Sequence, residues 1–222
     1  MRGHDLRLVL FNAEPGDWVQ GERGLACLPG REDAFRRTIA EALTRADRLG
    51  CPQIHVMAGL CPHDERTRHR AAMQRYESRL AWAAGEARAA GKTLLIEPIN
   101  PRDMPGYLLT RQAQAHELVA RIDSPHLKVQ MDLYHCQITE GDVSMRLRQW
   151  LPTGQVGHVQ IAAVPDRGEP DQGELHYPHV LEQLASLGYA GWVGCEYRPR
   201  GVSIPTGPSA TTAGLGWLAR YR

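Results

Sequence analysis

No apolar run in the 222-residue chain is long enough to cross a bilayer, and that in the opening MRGHDLRLVLFN is too short for a secretory h-region. Cysteine is sparse. Cys27, Cys51, Cys61, Cys136 and Cys195 are odd in number and scattered, a pattern that fits neither a disulfide framework nor a zinc-knuckle spacing. A reducing compartment, and hence a cytoplasmic protein with no membrane partner, is the expectation. Charge of one sign is also missing: Lys+Arg 26 against Asp+Glu 25 leaves a net charge of +1, so no global field advertises nucleic acid or an anionic membrane. The expected partner is a small neutral or mildly anionic molecule. There is no G-x-G-x-x-G turn, no P-loop and no G-x-S-x-G elbow, and so no nucleotide cofactor or acyl-serine chemistry is expected.

What remains is one alternation, repeated. With 42% hydrophobic residues, the chain can bury a full core, and no linker or charge block divides it, so residues 1–222 read as a single domain. Near-continuous apolar runs at Leu6–Phe11, Gln53–Met57, Thr93–Ile96, Leu127–Met131, Val156–Ile161 and Trp192–Cys195 suit strands buried on both faces of a parallel sheet. Helical periodicity lies between them. Phe35, Ile39, Leu43, Ala46 and Leu49 mark one face of a helix closed by Gly50, and an Ala/Arg/Glu-rich segment from Arg66 ends at Gly91. Further helices are predicted around Arg111–Ile122, Asp142–Trp150, Pro178–Leu187 and Thr211–Arg220. Strand, helix and strand at this spacing imply βαβ units with right-handed crossovers. The long Gly- and Pro-rich segments after the strands are where an α/β barrel places its chemistry.

Polar residues at the strand ends carry the most information. Glu97 follows Thr-Leu-Leu-Ile, Asp132 follows Val-Gln-Met, Gln160 lies within His-Val-Gln-Ile-Ala, and Glu196 follows Trp-Val-Gly-Cys. Successive members are 35, 28 and 36 residues apart, each about one βα unit, so the four can converge at one end of a curled sheet. A buried carboxylate is costly unless it is paired, hydrogen-bonded or metal-bound. Any one of them alone fits a helix N-cap or a solvated loop equally well. The all-oxygen set suits Mg²⁺ or Mn²⁺ better than zinc.

Ile-Glu-Pro-Ile-Asn at 96–100, Gln-Met-Asp-Leu-Tyr-His at 130–135, Gly-His-Val-Gln-Ile-Ala at 157–162, Arg-Gly-Glu-Pro-Asp-Gln-Gly-Glu at 167–174 and Gly-Cys-Glu-Tyr at 194–197 resemble the hydroxypyruvate isomerase family. Leu-Phe-Asn at 10–12, Gly16-Asp17-Trp18 and His-Val-Met-Ala-Gly at 55–59 extend the likeness over nearly the whole chain. That family belongs to the xylose isomerase-like barrels, whose relatives include 2-oxo-tetronate isomerases and ketose 3-epimerases. The resemblance implies a (β/α)8 TIM-barrel fold. With only six strands visible, the first two βα units and part of the scaffold are expected to be lacking. Exposed sheet edges would then invite homo-oligomer formation.

The resemblance further implies that Glu97 and Glu196 are the proton donor and acceptor, with Glu97, Asp132, Gln160 and Glu196 around a divalent metal. Many epimerase relatives carry His where this chain has Gln160. The expected reaction interconverts hydroxypyruvate and 2-hydroxy-3-oxopropanoate, or a close 2-oxo acid, through an enediolate. A ketose epimerase and an inactive ligand-binding barrel are the alternatives. His55, His135 and His158 are candidates for substrate contacts, against the alternative of local packing or capping. Arg167 is expected to clamp a substrate carboxylate, Glu169 to orient its neighbours, and Glu174 to be a surface charge.

Overall fold

Six short strands form one parallel sheet in chain order: β1 (Leu10–Asn12), β2 (Gln53–His55), β3 (Thr93–Ile96), β4 (Leu127–Asp132), β5 (Val156–Ile161) and β6 (Val193–Cys195). The structure, a computed structural model, describes residues 6–61, 66–200, 212 and 214–221. Leu94, Leu95 and Ile96 of β3 are fully buried, as expected of apolar strands covered on both faces. β1 and β6 are only partly buried, and among the described residues each pairs on one side alone. The sheet is therefore a curled half-barrel of six strands, with helices outside it.

Each crossover is a helix whose apolar stripe faces the sheet. α1 (Glu32–Leu49) buries Phe35, Ile39, Ala42 and Ala46, then stops at Gly50, whose φ of 63° closes the last turn on Ala46 and Asp47 carbonyls. Leu43 and Leu49, placed on this stripe from the sequence, fall to its flanks; Leu49 is 49% exposed. α2 (Arg66–Ala89) packs through small residues, Ala72, Ala83, Ala84 and Ala87, together with Tyr76 and Leu80. It also buries Arg79, which donates to the carbonyls of Leu25, Ala26 and Leu28 and pairs with Glu32 at 2.6 Å. A buried guanidinium is tolerable only when so many acceptors meet it. Here it pins the long loop after β1.

α3 (Gln112–Ile122), α5 (Val143–Trp150) and α6 (Tyr177–Ser186) follow the expected periodicity. No apolar periodicity announces α4 (Leu133–Thr139), seven residues that follow directly on their N-cap, Asp132. Tyr134 N–H donates to Asp132 Oδ1 at 2.8 Å, so the strand-end carboxylate is also the cap that starts this helix. The helix predicted at Thr211–Arg220 lies partly outside the described residues, and its described end is a 3-10 turn, Gly216–Tyr221.

Strand register decides what meets at the carboxyl end of the sheet. Asn12 lies beside His55, Asp132 beside Gln160, and Gln160 beside Gly194. Glu97 and Glu196 follow the last residues of β3 and β6, and the Glu196 amide still donates to Ile161 O of β5. Two glycines let the first long loop lie against the sheet end. Gly24 has a φ of 111°, and a Cβ there would sit 2.3 Å from Met57 O, while one on Gly59 would meet Gly24 O at 2.8 Å.

Candidate active site

The carboxyl end of the sheet opens into a cavity of about 540 Å³, lined by Asn12, His55, Glu97, His135, Arg167 and Glu196, with Trp18 and Arg23 at its rim. That is the size of a small-molecule site. Its polar groups come from the ends of β1, β2, β3 and β6, from α4 and from the loop after β5, so nothing short of the curled sheet assembles them.

Glu97 and Asp132 are buried, and Asp132 has no exposed surface. Burial first, then the neighbouring Glu196 and Asp132 charges, push the Glu97 carboxyl well above the usual carboxylate range. Gln130, from β4, donates a hydrogen bond to it and opposes the shift. Burial and Glu196 likewise push Asp132 up to about 7, against Arg167. Glu196 differs. Its side chain is half exposed, and its upward shift, caused by partial desolvation, is countered by Arg167. The two glutamates that share the cavity thus hold protons unequally, Glu97 more tightly.

Three oxygens, Glu97 Oε1 just past β3, Asp132 Oδ2 of β4 and Gln160 Oε1 of β5, are buried without a hydrogen-bond partner. Orphaned acceptors of this kind are what a cation or substrate donor satisfies. Among the described residues, Glu97, Asp132 and His135 offer ligand-type atoms within 4.8 Å of one another. A divalent ion therefore fits this corner on donor chemistry, with Gln160 and Glu196 bordering it from β5 and β6.

Arg167 is the hub of the charge network. Its Nη2 lies 3.3 Å from Glu196 Oε1 and 3.8 Å from Asp132 Oδ2, its Nη1 lies 3.4 Å from Asp103 Oδ2, and its guanidinium stacks over Tyr134 at 4.9 Å. The backbone holds it in the left-handed region, φ 56°, a conformation that costs a non-glycine residue roughly 1–2 kcal/mol. Loop contacts sustain it: Arg167 N donates to Ala163 O, and Arg198 N to Arg167 O at 2.7 Å. Glu169 accepts the Arg200 amide at 2.9 and 3.0 Å, and Arg200 also pairs with Asp166 and Asp171. Arg200 thereby ties the segment after β6 to the loop that carries Arg167. Glu174 is exposed and accepts from Gln137.

The histidines divide. His55 contacts Asn12 through Nδ1 at 3.2 Å and has Nε2 3.6 Å from Glu97 Oε2. Burial pushes its pKa down to about 4, so it is neutral near pH 7. His135, three residues past Asp132, borders the cavity and is held at about 3, by burial and then by Arg167. His158 is buried with Nδ1 unpartnered, and it does not border the cavity; a Cβ on Gly194 would sit 2.8 Å from its Nε2. Sequence reading missed Asn100, Asp103, Gln130 and Arg200. Asn100 and Gln130 fall inside the quoted motifs without a signal of their own; Asn100, followed by Pro101, Arg102 and Asp103, reads as a loop residue yet is fully buried.

A family model described as a xylose isomerase-like TIM barrel matches residues 1–221. The chain is 54% identical over 217 residues to the 2-oxo-tetronate isomerase of Cupriavidus necator, covering 97% of this chain and 78% of that protein. It is 38% identical over 224 residues to the hydroxypyruvate isomerase of Escherichia coli, covering 100% and 81%. A crystal structure named AP endonuclease, family 2, from Brucella melitensis superposes with a TM-score of 0.90 at 44% identity, over 100% of this chain and 81% of that one.

Proposed function

The chain belongs to the xylose isomerase-like TIM-barrel family, and from that membership we propose that it isomerises a small hydroxy-carbonyl acid, moving the carbonyl between adjacent carbons. The substrate is hydroxypyruvate, which becomes 2-hydroxy-3-oxopropanoate. The 54% identity to a 2-oxo-tetronate isomerase favours a second reading in which the substrate is longer by one hydroxymethylene carbon. Both share a carboxylate beside the reacting carbons, and one site serves both. The observation that carries the proposal is a pair of carboxyl groups, Glu97 and Glu196, on one cavity with unequal proton affinities and Arg167 beside them.

The shift removes a proton from the hydroxyl-bearing carbon, passes through an enediolate in which the hydroxyl proton moves to the former carbonyl oxygen, and returns a proton to the neighbouring carbon. Arg167 engages the substrate carboxylate, for which its planar fork is suited. Glu196, whose ionised form Arg167 favours, takes the proton, and Glu97, which holds its own tightly, delivers one to the other carbon. His135 hydrogen-bonds a substrate oxygen. A divalent ion such as Mg²⁺ or Mn²⁺ would be held by Asp132 and Gln160, joined by Glu97 and Glu196 whenever each is ionised, and would supply electrostatic stabilisation of the enediolate oxygens. DNA cleavage has less support, because the chain has no net basic field.

Substitution separates the two glutamates. In deuterated water, Glu196→Gln is expected to abolish both isomerisation and deuterium exchange of the substrate carbon. Glu97→Gln is expected to retain partial exchange while losing product. Losses on the order of 10²–10⁴-fold in kcat are expected for a missing acid or base. Full activity in either variant removes that residue from the mechanism.

A further inference from the structure

Asn100 sits two residues beyond Pro98, outside every strand and helix, and is completely buried. Its side chain has a single consistent orientation. Asp103 N–H donates to its Oδ1 at 2.8 Å, so the oxygen is committed and Nδ2 must face the other way. There it lies 2.6 Å from His135 Nδ1, and the Asn100 backbone N–H points at the same nitrogen from 3.3 Å. Two donors therefore converge on His135 Nδ1. A nitrogen that accepts cannot carry the proton, and a neutral imidazole has only one. The proton is on Nε2, on a ring that borders the cavity, with Nε2 3.7 Å from Asp132 Oδ2.

We propose that Asn100 is a positioning residue that fixes His135 in the Nε2–H tautomer, making it a hydrogen-bond donor to substrate and removing it from the set that can ligate a metal. The geometric grouping of Glu97, Asp132 and His135 suggests a ligand triad by proximity, but a protonated Nε2 has no lone pair to offer. The cation then has only oxygen donors. The same amide fixes a second group: by accepting from Asp103 N–H, Asn100 holds the turn whose Asp103 carboxylate meets Arg167 at 3.4 Å. One buried side chain thus aligns a donor for the developing enediolate oxygen and the partner of the carboxylate clamp. The inference rests on the isomerase reading for what the donor acts upon, but the tautomer itself is independent of it.

The experiment is ¹⁵N NMR of the imidazoles in the full-length protein, with His135 assigned from a His135→Gln sample. Wild-type His135 is expected to show a protonated Nε2 and an unprotonated Nδ1. Asn100→Asp keeps the shape but turns a donor into an acceptor, so Nδ1 is expected to gain a proton; kcat should fall about 10²-fold, as when one oxyanion donor is lost, with a smaller change in KM. A wild-type Nδ1 that carries the proton overturns the proposal. So does an Asn100→Asp protein whose His135 Nδ1 stays bare. If the spectra behave as expected but no isomerisation of hydroxypyruvate or 2-oxo-tetronate is found, the functional reading fails while the tautomer assignment stands.

Discussion

Arg167 concentrates more of the site's electrostatics than any other single residue, since it faces Glu196, Asp132 and Asp103 at once. Arg167→Met is expected to raise KM for the acid substrate by about 10–100-fold, the range for losing a charged hydrogen-bonding partner. It has a second signature. Arg167 lowers the Glu196 pKa, so its loss is expected to move the acid limb of the kcat/KM profile to higher pH; an unmoved limb would show that Glu196 is not the titrating base. At this scale the sequence was informative about some groups and silent about others. Glu97, Asp132, Gln160 and Glu196 stood out because each is polar at the end of a buried apolar run, one βα unit from the next, and the structure brings them to one sheet end. Asn100, Gln130 and Asp103 did not stand out. Their meaning lies in pairings across loops, Asn100 with His135 and Asp103 with Arg167, which leave no periodicity to read.

Loops, more than strands, hold the site together. The Glu169–Arg200 tie joins the loop after β5 to the segment after β6. Glu169→Gln is expected to weaken that tie and raise KM several-fold through misplaced Arg167, with a Tm change of no more than a few degrees; an unchanged KM would show that Arg167 needs no such support. Gly24→Ala acts differently, since its Cβ would meet Met57 O at 2.3 Å with φ at 111°. The cost is about 3 kcal/mol from strain and overpacking, or roughly 10 °C in Tm for a chain of this size, measurable by differential scanning calorimetry. The strands and most helices were legible from apolar runs and helical spacing. α4 was not, because its seven residues are too few to show a period and its start signal, Asp132, reads equally as a strand-end carboxylate.

Over the whole molecule, the buried carboxyls and histidines set opposite pH trends. Asp132, raised from 3.8 to about 7, and Glu97, pushed well above the usual carboxylate range, contribute stability that is full below their unfolded values and lost as pH rises through the folded ones. His55, His116, His135 and His158, lowered from 6.5 to between about 3 and 4, contribute stability that is full above 6.5 and lost as pH falls. The two trends compete below pH 6.5. Above it only the carboxyls remain, so in EDTA the Tm is expected to fall as pH rises from about 6.5 through the Asp132 value of about 7, at roughly 1.4 kcal/mol of stability per pH unit for each proton released. Saturating Mg²⁺ is expected to remove much of that fall; a metal-independent Tm across this window would speak against a cation at Glu97 and Asp132.

On the proposed function, the two glutamates on this cavity move a proton between adjacent carbons of a small hydroxy-carbonyl acid. The most direct measurement is proton NMR of hydroxypyruvate, and separately of 2-oxo-tetronate, incubated with the protein and Mg²⁺ in deuterated water beside Glu196→Gln. The expected result is isomer formation with deuterium at the reacting carbon, abolished by the substitution. The absence of both isomer and deuterium, from either acid with the unsubstituted protein, contradicts it.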